Sequence, residues 1–569
     1  MNITDDDYRR ARHITEAAAQ LLQQAIRPDR RGRPGLHPRI YLTGAVLAID
    51  TCASDTVTDI HTVLTRDLPR DLQWDLGVLT TAKDGTVRPI TQTDLYNLTR
   101  RITKQLDHTK IRAGHLGDDE RYRRRELLDA ISDAILAATL IPRPAGSTSY
   151  ALDGTGIWAA EKAPNVVDVV DTPDRRVEVD DDQDGNATSP SNPDEELAEA
   201  EDPETGPRRG KRGPSDAGYG VKTAKDGRRK SYYGYETHAF VRVPEVKAND
   251  PAQRSEPLLV EKIVVLPASV DPVGPCLRVI DRINAVAGTL TRLLVDRHYS
   301  YKKFHRWLKN LTCRGIDQVA DMHPKDQGFR DWDGMRMAAS WPHCPATPDD
   351  LGTIPTLGPN ATKSEREDFQ DKITRRFAYA AERRSQLDGD GKIRYRCPAR
   401  AGKTGCPLVD GSIAAATELG LPIIANPPGE EGRPAICRQQ TVQLKAETDE
   451  QQMAMKMHQK HYWGSDPWRL DYNRRTYVEG WFGVLKNNSA TGTRRGSHQY
   501  VGLPLVTLVI SVAAAVTNLR LLHTWHQQTG FGDERHPLLQ PDKPHYGSMN
   551  LTKEQAEAID ALAAEQLAA

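Results

Sequence analysis

Between Asp168 and Glu204 the chain carries fifteen Asp and Glu residues against only Arg175 and Arg176, and no apolar core can absorb that stretch. Rich in Pro, Ser and Asn and free of aromatic residues from Val169 to Ala217, it offers too little apolar surface to offset the entropy of ordering it. The expectation is a disordered acidic loop over 165–217, around which two separate stretches of sequence must fold. The loop also hides a charge asymmetry. The net charge of −1 becomes +12 once residues 168–204 are removed, leaving 75 basic against 63 acidic side chains. A basic balance of that size suits a nucleic-acid partner, because Lys and Arg gain by displacing counterions from phosphates. Ordinary solvated charge is the competing reading.

A chain of 569 residues has room for three or four folding units. The most apolar run, Val501 to Val516, contains Pro504, Thr507 and Ser511 and reads as a buried helix rather than a membrane span. Asp5, Asp6 and Asp7 followed by Arg9 and Arg10 do not make a secretory signal, so a cytoplasmic location is expected, nucleoid-associated when DNA is bound. Seven scattered Cys residues then read as thiols or metal ligands rather than disulfides.

Helical periodicity runs through Ile14–Ile26 and Leu127–Leu140, and Ile90–Leu106 has turn-then-helix character with Thr91 or Thr93 as cap. Residues 1–146 therefore read as a helical, DNA-binding unit. The basic turn holding Arg30, Arg31 and Arg33 is its candidate backbone clamp, and Arg121–Arg125 is a second basic cluster. From Ser149 the pattern changes to an apolar strand ending in Asp153, then, beyond the acidic loop, strands at Tyr232–Val241 and Leu258–Leu266. A helix over Val270–Gly288 leads to a second apolar strand ending in a carboxylate, Leu293-Leu294-Val295-Asp296. A helix over Lys302–Leu311 and a strand over Gly315–Ala320 follow. Strands first in series, then alternating with helices, describe an α/β mixed sheet with helices packed on it. Residues 324–468 are irregular and read as an inserted subdomain, and a helical end spans Tyr472 to about Gln528, with a last helix at Lys553–Leu567.

The most specific pattern is Tyr472-x2-Arg475-x3-Glu479-x6-Lys486. On a single helix these offsets put a phenol, two cations and a carboxylate on one face over four turns. An amphipathic surface helix with Arg475 and Glu479 paired is the bland alternative.

With Asp153 in Leu-Asp-Gly-Thr, Tyr233-Gly234-Tyr235-x2-His238 in the next strand, and Asp296 in Val-Asp-Arg-His-Tyr, this pattern resembles the DDE transposases of bacterial insertion sequences, specifically the group marked by the Tyr-Arg-Glu-Lys signature. The matching segments are roughly 148–160, 230–322 and 460–525. One departure stands beside Asp296: the family usually has Gly before the aromatic residue, where this chain has His298 before Tyr299.

The resemblance implies a ribonuclease H-like core in two pieces, 147–323 and 469–528, interrupted by the 324–468 insertion and followed by a tail over 529–569. It also implies a cut-and-paste transposase that binds the terminal repeats of its element as a homodimer on double-stranded DNA. Asp153, Asp296 and Glu479 would be the catalytic and metal-holding carboxylates for two Mg2+ or Mn2+ ions, the hard oxygen ligands that phosphodiester chemistry needs. Tyr472, Arg475, Lys486 and His238 would contact DNA, and Trp463, Trp468 and Trp481 are candidates for stacking on a flipped base, with burial in a core as the alternative for each.

Two other readings compete: a transposase-derived protein that binds DNA without cutting, and a hydrolase with paired carboxylates such as a glycosidase, which explains neither the basic balance nor the cations beside Glu479. Within the insertion, Cys344, Cys397, Cys406 and Cys437 are candidate zinc ligands, with buried free thiols as the alternative. Cys52, Cys276 and Cys313 read as core residues.

Overall fold

The computed structural model describes residues 3–26, 35–82, 84–141, 148–160, 216–223, 229–245, 257–268, 270–287, 290–355, 357–358, 360–487, 500–530, 532, 536–540, 554 and 557–562. Arg30, Arg31, Arg33 and nearly all of the acidic segment lie outside these residues. Asp216 and Ala217, assigned above to the disordered loop, are buried instead. Asp216 accepts hydrogen bonds from the Tyr235 hydroxyl (2.7 Å) and from the backbone N–H of Leu503 (2.9 Å), so the segment re-enters the core at a fixed point.

The N-terminal region is helical: α1 (Asp5–Ala25), α2 (Pro38–Cys52), α3 (Val57–Thr62), α4 (Arg70–Leu76), α5 (Gln92–Leu106), α6 (Lys110–Ala113) and α7 (Asp118–Ala137). A small hairpin, β1 (Leu79–Thr81) with β2 (Val87–Pro89), interrupts the series. Local sequence sets the boundaries. Thr91 caps α5, its hydroxyl taking the Asp94 N–H while the Asp94 carboxylate takes the Thr91 N–H, which satisfies two donors that a helix start would otherwise leave unpaired. Thr4 and Asp7 do the same for α1.

The central sheet is mixed. Strand β3 (Ser149–Trp158) pairs antiparallel with β5 (Arg229–Val243) over its whole length and parallel with β7 (Arg292–Val295), which pairs parallel with β8 (Asp317–Ala320). Strands β4 (Gly218–Thr223) and β6 (Val260–Pro267) both pair antiparallel with β5. One hydrophobic core joins the N-terminal helices, one set of sheet side chains and the helix Leu503–Thr529. A second core takes the opposite set, including Tyr150, Leu152, Leu293 and Val295, with the helix Val273–Ala287 and the insertion. The insertion is more regular than its sequence suggests. It contains two three-stranded antiparallel sheets, β9 (Arg330–Trp332) to β11 (Trp341–His343) through β10 (Met335–Ala338), and β12 (Glu382–Arg383), β13 (Lys392–Arg396) and β14 (Val442–Lys445), with a helix at Lys363–Ala378 between them in sequence.

Two expected helices differ. Lys302–Leu311 is turn structure up to Trp307, followed by a short helix Leu308–Cys313. Trp307 is held at φ −115° and ψ −74° with its ring against Tyr299 and its indole N–H on Gln318, and this packing overrides helical propensity. The Tyr472–Lys486 segment is two helices, Asp466–Asn473 and Thr476–Leu485. At the joint, bonds from Arg474 to Asp471 and from Arg475 to Tyr472 tighten the chain into a three-residue turn.

The helix Leu503–Thr529 has the length and hydropathy of a membrane span, yet 89% of its most apolar window is buried inside the protein. Asn518 on this helix is fully buried and fully satisfied. Its amide donates to the Val260 carbonyl (2.8 Å) and the Thr139 hydroxyl (2.9 Å), and its oxygen accepts from the Val260 N–H (3.0 Å) and the Trp481 indole (3.1 Å). Substituting Leu strands four polar groups in the core, so Asn518→Leu should lower unfolding free energy by about 3 kcal/mol, measured by urea denaturation. An unchanged midpoint would mean that the four groups find other partners.

Candidate functional site

Register brings the carboxylates together. The last parallel pairs are Leu152 with Val295 and Val295 with Ala320, so the next residues, Asp153, Asp296 and Asp321, stand in one row where the parallel pairing runs out, while β3 itself continues to Trp158 beside β5. The carboxyl edge of parallel strands is where open α/β sheets bind ligands. Asp296 caps the short helix that follows, accepting the His298 N–H at 2.9 Å, so the His298 departure leaves the carboxylate on the edge.

Asp321 escaped the sequence reading, although Val319-Ala320-Asp321 repeats the apolar-strand-then-Asp pattern a third time. Its carboxylate accepts the Met322 N–H (2.7 Å) and the Trp463 indole N–H (3.1 Å), which ties the strand end to the segment entering the Arg475–Glu479 region.

Glu479 reaches the same place from the helix Thr476–Leu485. Val478, Trp481, Phe482 and Leu485 bury one face of that helix, and Glu479 stands on the exposed side. Arg475 connects the two structures: its guanidinium donates to Asp153 Oδ2 at 3.2 Å and to Glu479 Oε1, and lies 5.6 Å from the centre of the Tyr472 ring. Lys486 reaches the Thr155 hydroxyl, two residues beyond Asp153 on β3. Of the signature residues, Tyr472, Arg475, Glu479 and Lys486 thus converge on Asp153 in spite of the break between the helices.

The electrostatics follow from this crowding. Burial and then the charge of Asp296 push the Asp153 carboxyl up to about 6. Arg475 and the Gly154 N–H oppose the rise, and Glu479 adds to it. Burial likewise raises the Tyr472 phenol to about 12.

A second network docks the two short helices on the sheet. Asp471 is buried among Arg292 (3.1 Å), His461 (2.7 Å) and Arg474, and Arg474 also donates to the Pro244 carbonyl at 2.7 Å. Burial alone would raise Asp471, but the His461 hydrogen bond and the two guanidinium charges hold it down at about 2. Nothing in the spacing of these residues marked them in advance, because Arg292 and Asp471 are separated by most of the insertion.

His238 does not face DNA, as the resemblance implied. It is fully buried, Nδ1 lies 2.6 Å from the Tyr299 hydroxyl, and burial followed by the charges of His298 and Lys302 lowers its pKa to about 3. A neutral imidazole bridging β5 to the loop after Asp296 is a positioning element. It explains Gly154, where a Cβ would stand 2.9 Å from His238 Nδ1.

The three tryptophans also separate. Trp481 and Trp463 are buried, Trp481 being bound to Asn518, whereas Trp468 is half-buried and stacks on Tyr472 at 5.0 Å with 9° between the planes. Cys344, Cys397, Cys406 and Cys437 are all buried, as is Cys276, but Cys52 and Cys313 are exposed and are not core residues.

Asp153, Asp296 and Glu479 are the residues from which the sequence expected metal binding, and burial followed by the Asp296 charge raises the Asp153 carboxyl. Among the described residues, however, no group of three His, Cys, Asp or Glu side chains stands ready to hold a metal ion, since Glu479 and Asp153 both turn to Arg475. No family model matches the chain, and no curated protein or solved structure matches it either.

A carboxyl raised in the folded state opposes folding when it ionises. The penalty is full above pH 6, shrinks as the pH falls and vanishes below the unfolded value of about 4. Asp153→Asn should therefore stabilise the protein at pH 7.5, by on the order of 2 kcal/mol, and leave it unchanged near pH 4. Thermal unfolding at the two pH values checks this, and equal effects at both would remove the repulsion from the account.

Proposed function

We propose that the protein is a DNA transposase of the DDE type, with a ribonuclease H-like core, acting on the terminal repeats of its own mobile element. The supporting observation is that one guanidinium, that of Arg475, bonds both Asp153 on its strand and Glu479 on a separate helix, with Asp296 next to Asp153 in the row and close enough to act on Arg475 through its charge. The strand order β6-β5-β3-β7-β8, antiparallel on one side of β3 and parallel on the other, supports the fold reading. The excess of basic residues outside the acidic segment supports a DNA substrate and is what strand pairing of two transposon ends by a homodimer would need.

In this reading Asp153, Asp296 and Glu479 would hold two Mg2+ or Mn2+ ions, whose chemistry there would be activation of an oxygen nucleophile and neutralisation of a leaving oxygen. Arg475 changes partners. Its fork matches a phosphate as well as a carboxylate, so an incoming DNA backbone draws it from Glu479 and Asp153 and frees their oxygens. Lys486 sits beside Thr155 as a second phosphate contact. Trp468, stacked on Tyr472, offers an aromatic face for an unpaired base.

One observation favours the alternative of a transposase-derived protein that binds DNA without cutting it. Arg475 already neutralises two of the three carboxylates.

A single experiment separates the readings: end-labelled DNA carrying the repeats that flank the coding sequence, incubated with Mg2+ or with EDTA, for the wild type and for Glu479→Gln. Metal-dependent nicking that falls at least about 100-fold in the variant supports the transposase. Retardation of the DNA without cleavage in either metal supports the binding protein.

A further inference from the structure

The insertion gathers four thiols from four separate stretches of chain. Cys344 directly follows β11, Cys397 directly follows β13, Cys406 lies nine residues later, and Cys437 lies in the short helix Ala435–Arg438. The chain between the first two brings them side by side: Ala381 donates to the Pro342 carbonyl (2.9 Å), the Trp341 indole donates to the Ala381 carbonyl (2.8 Å), and the next residue, Glu382, pairs with Arg396. All four Cys are between 4% and 9% exposed, belong to one core cluster and are unbridged.

The turns share a design. Cys344, Cys397 and Cys406 are each followed by Pro, which fixes φ and supplies no N–H of its own. The next N–H then turns toward the sulfur: Ala346 donates to the Cys344 sulfur and Leu408 to the Cys406 sulfur. The same turns close on their carbonyls, with Thr347 donating to Cys344 (3.0 Å), Ala401 to Cys397 (3.0 Å) and Val409 to Cys406 (3.0 Å). N–H groups aimed at sulfur stabilise thiolates rather than thiols, and a packed apolar core has no use for them. The four groups also feel one another. Cys397, Cys406 and Cys437 each lie close enough to act on Cys344 through their charge.

We propose that Cys344, Cys397, Cys406 and Cys437 form a structural zinc site that closes the insertion. Tetrahedral thiolate coordination is the preferred geometry of structural zinc, and it would tie together short strands and turns that share one apolar cluster. The sulfurs do not yet stand as a finished cage. Metal binding and ordering of such a site are one event, in which side-chain rotation draws the ligands in. The site does not depend on the DNA reading, and its test uses no DNA.

The full-length chain, purified without chelator, should contain about one zinc per molecule by elemental analysis. Titration with a mercurial reagent should release that zinc as four thiols react, and Co2+ exchange should give the visible spectrum of tetrahedral thiolate coordination. Cys437→His should keep the metal and Cys437→Ala should lose it, while Cys313→Ser, at an exposed thiol outside the cluster, should leave the content unchanged. A wild-type chain that stays soluble yet holds neither zinc nor Co2+ overturns the site, as does mass spectrometry of the unreduced protein that finds disulfides among the four.

Discussion

A single buried amide holds the architecture in register. Asn518 fills its four hydrogen-bonding positions from three directions: the edge strand β6, the residues just after α7 and the indole of the helix that carries Glu479. Apolar packing alone is tolerant of small slides between helices, whereas a satisfied amide in a core of low dielectric accepts one arrangement. Slippage of the helix Leu503–Thr529 would break bonds to the sheet and to the Glu479 helix together. The network of Asp471, Arg474 and Arg292 adds a second fixed point at the other end of the same unit.

Those two anchors bring a cost at the candidate site. They press Glu479 toward strand ends that already present Asp153 and Asp296, and the charges repel. Arg475 relieves the crowding from beside the same helix, which makes it part of the folded state's own balance. In the proposed reading the same group would have to let go when DNA binds, which would couple binding to rearrangement.

The sequence was readable where local rules suffice. The α5 cap at Thr91, the strand leading into Asp296 and the buried character of the Val501–Val516 run stand in the structure as the sequence suggested, whereas the strand expected to end at Asp153 runs on to Trp158 because β5 pairs with it along its whole length. The spacing of Tyr472, Arg475, Glu479 and Lys486 singled out side chains that the fold brings together near Asp153 but suggested one continuous helix, because the turn at Arg474 depends on partners in Pro244 and Ser149 far along the chain. His238 was expected to contact DNA only through the resemblance, and a motif match does not say whether the strand face that carries the residue is covered. Asp321 was legible in principle, and only its relation to Asp296 across a parallel pair gives it meaning. The cysteines could be counted from sequence, but their meeting depends on strand pairings within an insertion whose pattern looked irregular.

The described residues break off after Ala160 and resume at Asp216, and both sides of the break are secured independently of the acidic stretch. Strand β3 is paired along all ten residues with β5 and also with β7, and Asp216 is clasped by Tyr235 and by the start of the long helix. Backbone continuity between these points therefore carries none of the contacts described here. The molecule can be supplied as two polypeptides parted within that stretch, one bearing Asp153 and the other Asp296 and Glu479. In such a pair the carboxylate edge comes into being only through reassembly, which makes the acidic stretch a natural seam for a split, complementing protein.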